Sequence, residues 1–344
     1  MDHTMKLSTL LLSSAALLVA GAAYAADLPA KKAAPAAAPT GCAAFGAGYI
    51  AIPGGDTCLK ISGYVQGNTT YKSNQARGTA PYGLAGDYGL QFDAKNQTEA
   101  GTVASTIYIE DNATTDAYVS LGGLTAGKAD SILDIGGGYN KSGDAYGNHI
   151  GTLAYSAAVG SSTLSVAAVT AQDSNSTSTM AASRPDLQAM LATSAGPLKV
   201  NVGMASHEVV GGTSGSAQGF AFIGKAKFDA GVASIMGYAA YANGASAYLG
   251  AGKLADSAAD ASALSSGTTY QAQIDIPVGK NDSIGIFGES ISSKQDATSY
   301  SKTQYAAALK HTIASGLWMR PEIYTETVNG VIANGAYLRI ERDF

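Results

Sequence analysis

The chain has 344 residues, a net charge of −5 at pH 7, and only 14% Asp, Glu, Lys and Arg. Soluble domains usually carry about a quarter charged residues, so this sequence is poor in charge. The acidic balance argues against a nucleic-acid partner, which requires a basic surface. Its 42 glycines argue against long helices, because each glycine costs about 1 kcal/mol relative to alanine in a helix interior.

The N-terminal residues predict an exported protein. An apolar run from Leu7 to Ala22 follows a lysine, and Ala23-Tyr24-Ala25 has the small-x-small form of a secretory cleavage site. The run is too short and too often interrupted by serine for a retained transmembrane helix. Residues 1–25 are therefore predicted to be a signal peptide, and either Met1 or Met5 could be its start.

The next region is predicted to be a periplasmic leader, residues 26–57, with an Ala/Pro tract and a Gly-rich knot. The tract cannot bury enough apolar surface to offset its ordering entropy. Cys42 and Cys58 are the only cysteines and lie sixteen positions apart. In an exported protein they most simply form one disulfide, and a loop near fifteen residues is worth roughly 3 kcal/mol. A metal site is the weaker alternative, because two thiols without a nearby histidine make half a site.

From Leu59 onward, apolar and polar residues alternate with period two. In 59–70, Leu59, Ile61 and Val65 share one face and Lys60 lies on the other, and 83–95 and 102–110 alternate in the same way. Such alternation is typical of a sheet with one apolar and one wet face. No amphipathic helix is predicted between the strands, so residues 58–344 are predicted to be all-β.

The connectors between the predicted strands alternate in length after residue 150. Short connectors lie at 160–162, 196, 229–230, 278–281 and 314, and long ones at 172–185, 209–217, 242–267, 293–302 and 328–334. This order is typical of a closed antiparallel transmembrane β-barrel, with short periplasmic turns and longer outer loops. Five strands before residue 131 bring the predicted total to sixteen. Counting 246–253 as a further strand would make the total odd, and fourteen or eighteen strands stay open.

The last ten residues, Gly335 to Phe344, form a strand with an apolar and a polar side. Taken alone, they could equally be the terminal strand of a soluble sheet. In a barrel they are expected to pair with 59–70 and remove the last free edges of the sheet. Phe344 is then the expected assembly terminus at the periplasmic rim, and Arg342 lies on the outward side.

Three stretches resemble a known family. Ala26 to Lys32, Cys42 and the run Gly46 to Val65 closely resemble the opening of the alphaproteobacterial general porins, and Ala117 to Asp130 resembles the porin segment that leads into the pore-constricting third loop. The closing strand resembles the porin C-terminus that ends in Phe. The resemblance implies a sixteen-stranded outer-membrane barrel, usually trimeric, with an inward-folded third extracellular loop. Between about 150 and 310 only the pattern is similar, and the pore carries less charge than is common in the family.

The chemistry expected of such a channel is electrostatic, because charges that line a narrow lumen set which solutes enter. The candidate inward loop is 131–149. We hypothesise a transverse field between this loop and a basic wall; the alternative is that the charges are ordinary solvated residues. The pore-lining candidates are Lys60, Lys310, Arg320, Arg339, Glu322 and Glu341, and the constriction-loop candidates are Asp130, Asp134 and Asp144.

Signals for an enzyme are weak. The sequence lacks a Gly-x-Ser-x-Gly elbow and a phosphate-binding glycine loop, and His149, His207 and His311 show no metal-ligand spacing. No cofactor and no metal are therefore expected. The tyrosines, including Tyr71 and Tyr305, fit interfacial girdles, and a sugar-stacking track inside the lumen is the alternative.

These observations predict a porin in the outer membrane of a Gram-negative bacterium. Its function would be passive diffusion of small hydrophilic solutes and ions. The expected partners are outer-membrane lipids, these solutes and two further copies of the chain in a homotrimer. Two alternatives stay open: a substrate-selective outer-membrane channel, and a non-conducting structural or adhesive barrel.

Overall fold

The computed structural model describes residues 41–76, 78–139, 142–172, 183–211, 215–250 and 264–344. Residues Met1–Ala44 form one unit, of which 41–44 are described, and Phe45–Phe344 form a second unit that contains the sheet. Within the described ranges there are two short 3-10 helices, Cys42–Phe45 and Ser246–Leu249. No helix in these ranges has both the length and the apolarity needed to cross a bilayer.

The strands are numbered in chain order. They are β1 (Ile50–Ala51), β2 (Cys58–Lys72), β3 (Tyr82–Thr98), β4 (Gly101–Glu110), β5 (Ala113–Leu121), β6 (Leu124–Asp130), β7 (His149–Val159), β8 (Ser162–Val169), β9 (Asp186–Ala195), β10 (Leu198–Gly211), β11 (Gly215–Asp229), β12 (Ser234–Asn243), β13 (Ser266–Val278), β14 (Asp282–Gln295), β15 (Thr298–Ala314), β16 (Leu317–Val328) and β17 (Val331–Asp343).

Strands β2 to β17 form a closed ring. Each pairs antiparallel with its neighbours in the sequence, and β17 pairs with β2, while the two-residue β1 pairs with β2 at its start. The prediction of a sixteen-stranded antiparallel barrel is therefore confirmed. Residues 246–249 form a 3-10 helix rather than a seventeenth barrel strand, so the even count holds.

The connections are sorted by length between the two ends of the barrel. At one end every connection has four residues or fewer, whereas the other end carries the long segments 73–81, 131–148, 170–185 and 244–265. The predicted long connectors 293–302 and 328–334 are wrong, because two-residue turns replace them at Asp296-Ala297 and Asn329-Gly330. The predicted connector 209–217 is also too long, because β10 extends to Gly211 and β11 begins at Gly215. Asn329 and Gly330 have φ of 49° and 84°, as a tight hairpin turn with two left-handed residues requires.

Along the barrel strands, a row of exposed apolar side chains alternates with a row of buried or half-buried side chains. On β12, Ile235 and Tyr241 are exposed while Met236 and Tyr238 are buried, and on β17 Ile340 is exposed. Exposed apolar side chains that alternate along every strand are typical of a surface that faces lipid. Because the sheet is closed, the opposite row faces the barrel interior.

Both cysteines are in the oxidised state. Cys42 and Cys58 are each disulfide-bonded, and the described residues contain no free cysteine. The predicted disulfide is therefore confirmed.

The seam between β17 and β2 closes the barrel. Its register runs from Gly335↔Lys72 to Asp343↔Tyr64. Beyond the last register pair, the Phe344 N–H donates to the Gly63 carbonyl, and the Gly63 N–H donates to the Phe344 carbonyl, both at 3.0 Å. The predicted pairing of the final strand with the first is confirmed.

Deleting Phe344 should lower the yield of assembled barrel several-fold, because it removes both backbone hydrogen bonds to Gly63, each worth about 1 kcal/mol. The variant Phe344→Ala removes only the ring, which is exposed, and keeps the backbone pair. The measurement is the heat-modifiable fraction in outer-membrane preparations, with conductance per channel expected to stay unchanged. Equal yields from the deletion and the wild type would contradict this explanation of the seam.

Candidate functional site

Six charged residues lie on the interior face of four neighbouring strands. On β2, Lys60 alternates with exposed Ile61, and on β17 Arg339 alternates with exposed Ile340. Strands β15, β16, β17 and β2 pair in that order. The structure therefore brings together the six residues that the alternation singled out: Lys60 on β2, Lys310 on β15, Arg320 and Glu322 on β16, and Arg339 and Glu341 on β17.

Two arginines form the centre of this group. Arg320 and Arg339 are direct register partners across β16 and β17, so two positive charges face the lumen side by side. Arg339 Nη1 is 3.6 Å from Glu341 Oε2, and its Nε donates to Asn68 Oδ1 at 3.3 Å. Glu341 therefore offsets part of the charge of Arg339. The six residues, here called the basic group, keep a positive balance of four cations to two carboxylates.

Trp318 belongs to the same wall and was missed from the sequence. The Lys310 Nζ lies 4.4 Å from its ring centroid, and the Arg320 guanidinium carbon lies 5.0 Å from it. A ring face attracts cations electrostatically, so the single tryptophan of the chain holds two of the basic side chains. The signal was available, because Trp318 and Arg320 are two positions apart on one strand and share a face.

Three carboxylates on the adjacent wall were also missed as site residues. Asp87 and Asp93 on β3 and Glu110 on β4 face the interior, where each accepts hydrogen bonds from neutral side chains. For example, Thr106 donates to Asp93 at 2.7 Å. The alternation had placed both aspartates on the polar face of their strand. Their neighbours depend on strand pairing, which the alternation does not give: Asp93 is the register partner of Lys60, and Glu110 is the register partner of Gly89.

The segment 131–148 contacts the interior face of distant strands. The Gly137 and Gly138 N–H groups donate to the side-chain oxygens of Gln271 and Gln273 on β13, at 2.9 and 3.1 Å. The Lys225 Nζ of β11 donates to the Gly136 carbonyl at 3.1 Å. These partners are far away in sequence, so the segment is held by side chains of strands that do not neighbour it.

A buried charged network fixes the end of this segment. The Lys302 ammonium of β15 forms an ion pair with Asp144 and lies 3.5 Å from Glu289 Oε1 on β14. The Asp144 N–H donates to Glu289 Oε2 at 2.8 Å, and Gln271 Nε2 donates to the same oxygen at 2.7 Å. Lys302 and Glu289 are both buried, so each charge depends on these partners for stabilisation.

The three carboxylates predicted for the loop have separate environments. Asp144 is paired with Lys302. Asp130, the last residue of β6, lies 3.0 Å from His149 Nδ1. Asp134 is exposed. Among the three, only Asp144 is paired with a lysine, and only Asp134 has neither an ion pair nor a histidine contact among the described residues.

Each described histidine contacts an aspartate, a pairing that the sequence reasoning missed. His149, His207 and His311 have Nδ1 within 2.8 Å of an aspartate oxygen. One of these pairs is part of a larger group: the ligand atoms of Asp116, Asp130 and His149 all lie within 4.8 Å of one another. One imidazole nitrogen and two carboxylates could hold a divalent cation, and the hydrogen bonds of His149 also satisfy these carboxylates directly.

Apolar residues of two connecting segments share one buried cluster, here called the inner cluster. Leu133 and Tyr146 come from 131–148, Tyr248 and Leu249 come from the second 3-10 helix, and the remaining members, such as Ala221, come mainly from β10 to β12. Burial raises the pKa of Tyr146 to about 12, so its hydroxyl stays protonated at physiological pH. The inner cluster packs against β10 to β12, while Tyr139 of the segment 131–148 contacts the opposite group of strands, its ring centroid lying 5.9 Å from the guanidinium carbon of Arg320 on β16.

Comparison with known proteins agrees with this architecture. A family model described as "Porin subfamily" matches residues 30–334. A putative outer membrane protein, y4fJ, of Sinorhizobium fredii is 36% identical over 154 residues, which cover 38% of this chain and 45% of that protein. Porin Omp2a of Brucella ovis is 36% identical over 119 residues, covering 33% of this chain and 34% of that porin. The matched region thus spans less than half the length of these curated relatives.

Solved structures share the fold. The outer membrane channel DcaP of Acinetobacter baumannii superposes with a TM-score of 0.72 at 15% identity, covering 84% of this chain and 97% of that chain. An anion-selective porin from Comamonas acidovorans gives 0.61 at 13% identity, covering 84% and 100%. The trimer form of OmpT from Vibrio cholerae gives 0.61 at 9% identity with the same coverage. The predicted family, fold and outer-membrane location are confirmed, and the chain belongs to the porin subfamily.

Proposed function

We propose that this protein is a water-filled channel for the passive diffusion of small hydrophilic solutes and ions across the outer membrane. The observation that carries the proposal is the closed sheet whose outer rows are apolar while its interior rows carry Lys60, Arg320, Arg339 and Glu341. Charges on an interior face are costly unless water reaches them. The family and fold are those of channels, and the proposed function includes no catalytic step.

The segment 131–148, which we call the constriction segment, is proposed to fold into the barrel and narrow this channel. Its hydrogen bonds to Gln271 and Gln273 and its ion pair with Lys302 support this proposal. All three partners lie on interior rows of β13 and β15. A segment held there reduces the cross-section open to water.

The basic group is proposed to set ion preference. Lys60, Lys310, Arg320, Arg339 and Glu341 are proposed as pore-wall residues, with Arg320 beside the Tyr139 ring of the constriction segment, whereas Glu322 is buried within the wall. Asp134 is proposed to face the lumen near the constriction segment. Asp130 is in register with His149, on the same row as exposed Leu153 and Tyr155, and the charge of Asp144 is compensated by Lys302. The transverse field is therefore expected to involve Asp134 and the acidic residues of β3 and β4 more than Asp144.

A homotrimer in the outer membrane is proposed as the assembled form, with lipids around its apolar rows. The OmpT structure in its trimer form, which shares the fold, supports this proposal, as does the exposed apolar surface. Unitary currents in a planar bilayer would establish conduction, and a complete absence of current would favour a non-conducting barrel. Crosslinking of the detergent-extracted protein tests the number of subunits.

Neutralising the basic wall should shift the channel toward cations. In the triple variant Lys60→Gln, Arg320→Gln and Arg339→Gln, the ratio of cation to anion permeability should rise by up to roughly tenfold, since fields in a narrow lumen concentrate counterions by such factors. The measurement is the reversal potential in a salt gradient. Arg342→Gln is the control for Arg339→Gln, because Arg342 is exposed and its Nη1 donates to the Ser315 carbonyl at 2.8 Å. An unchanged reversal potential in the triple variant would rule out the proposed role of these charges.

Releasing the charged network should loosen the constriction segment. Lys302→Gln leaves the carboxylates of Asp144 and Glu289 without their cation, and breaking a buried pair costs about 3–5 kcal/mol. We expect larger open-channel current noise and a lower voltage threshold for closure. Lys294→Gln on neighbouring β14 is the matched control, because Lys294 is exposed. Identical single-channel records from the two variants would count against the anchoring role of Lys302.

A further inference from the structure

A second connecting segment is buried beside the constriction segment. Residues 244–250 follow β12 and contain the 3-10 helix Ser246–Leu249. Connecting segments normally run over the protein surface, yet Ser246, Tyr248 and Leu249 are 0% exposed. Their burial at the end of the barrel that carries the long connections therefore requires an explanation.

Polar side chains on interior rows anchor this segment to the wall. The Tyr248 hydroxyl donates to Asp186 Oδ2 at 2.8 Å and accepts from Gln188 Nε2 at 3.1 Å, both on β9. Asp186 is itself held by His207 Nδ1 of β10 at 2.8 Å. On the other side, Thr269 Oγ1 of β13 donates to the Leu249 carbonyl at 2.5 Å. The segment is thus bonded directly to two strands, β9 and β13, through buried groups.

The same residues contact the constriction segment. The rings of Tyr146 and Tyr248 lie 4.7 Å apart, centroid to centroid, a spacing within the range of favourable ring pairs. Gln188 joins both segments, because its Oε1 accepts from Ser131 Oγ at 2.9 Å while its Nε2 bonds Tyr248. Gly250 approaches so closely that a Cβ at that position would overlap the backbone oxygen of Asp144.

We infer that residues 244–250 form a second segment folded inside the barrel, and that Tyr248 is a positioning residue that holds the constriction segment against the wall of β9 to β12. The two segments fill that side of the interior with the inner cluster. Water and solutes then pass along the remaining wall, which carries Lys60 and Arg339, because the constriction segment itself reaches Arg320 through Tyr139. The inference rests on the proposed function, since it concerns the width and position of the channel.

The first test compares Tyr248 with Tyr241, which lies near the end of β12. Tyr248→Ala removes the ring that contacts Tyr146, whereas Tyr241→Ala removes an exposed, outward ring of β12. We expect Tyr248→Ala to raise single-channel conductance roughly twofold, because conductance follows pore cross-section. Liposome swelling with mono-, di- and trisaccharides should show a higher size limit for Tyr248→Ala alone. Heat-modifiable mobility on gels verifies that both barrels are folded.

Tyr248→Phe separates the hydroxyl from the ring. This variant keeps the contact with Tyr146 but loses the hydrogen bonds to Asp186 and Gln188. We expect wild-type conductance with increased current noise, because the segment keeps its place and loses part of its anchor. A ring with a merely structural role would change barrel stability and leave the size limit and the noise unaltered.

A glycine pair keeps the test independent of Tyr248. Gly250→Ala forces the two inner segments apart at Asp144, whereas a Cβ on Gly237 of β12 meets nothing within 4 Å. Gly250→Ala should therefore change conductance and the size limit, and Gly237→Ala should not. Wild-type values for Tyr248→Ala and Gly250→Ala in a conducting channel would overturn this inference alone. Absence of any current from the wild type would instead overturn the proposed function.

Discussion

The seam between β17 and β2 is the contact on which the remaining structure depends. A sheet of sixteen strands without it would present two edges of unpaired N–H and C=O groups, and lipid offers no partner for either. The register from Gly335↔Lys72 to Asp343↔Tyr64, extended by Phe344 and Gly63, satisfies these groups. Because the sheet is closed, one row of side chains on every barrel strand faces the exterior and the other row faces the interior.

An interior created in this way has to be filled or wetted, and the proposed channel combines both. Toward β9 to β12, apolar side chains of two connecting segments pack with the wall. Farther around the ring, Lys302 of β15 and Glu289 of β14 hold Asp144 of the constriction segment. Toward β15 to β17 and β2, Lys60, Arg320 and Arg339 remain partly exposed. Buried ion pairs add little net stability but fix geometry, since breaking one leaves an uncompensated charge.

The sequence predicted what depends on local periodicity and missed what depends on pairing across the barrel. Alternation gave the sixteen strands and the interior position of Lys60 and Arg339, because side-chain direction follows from parity alone. The loop predicted for 328–334 was too long, because the Asn-Gly signal for a two-residue turn at Asn329-Gly330 was overlooked. The ion pair of Asp144 with Lys302 joins residues 158 positions apart, and no local pattern encodes such a contact. The burial of Tyr248 was missed for the same reason.

The compensation of Asp144 changes which charges can set selectivity in the proposed channel. A field between the loop and the basic wall requires uncompensated carboxylates on the loop, and Lys302 neutralises Asp144. Arg320 and Arg339 stand side by side on β16 and β17, and the acidic residues Asp87 and Asp93 lie on β3, two strands from β17 around the ring. At physiological salt the screening length is about 8 Å, so each charge acts mainly on ions that pass close to it, and Asp93 lies directly opposite Lys60 in register. In the proposed channel, selectivity would then depend on which charges the inner segments leave nearest to the open path, and the position of the constriction segment would be an electrostatic as well as a steric determinant.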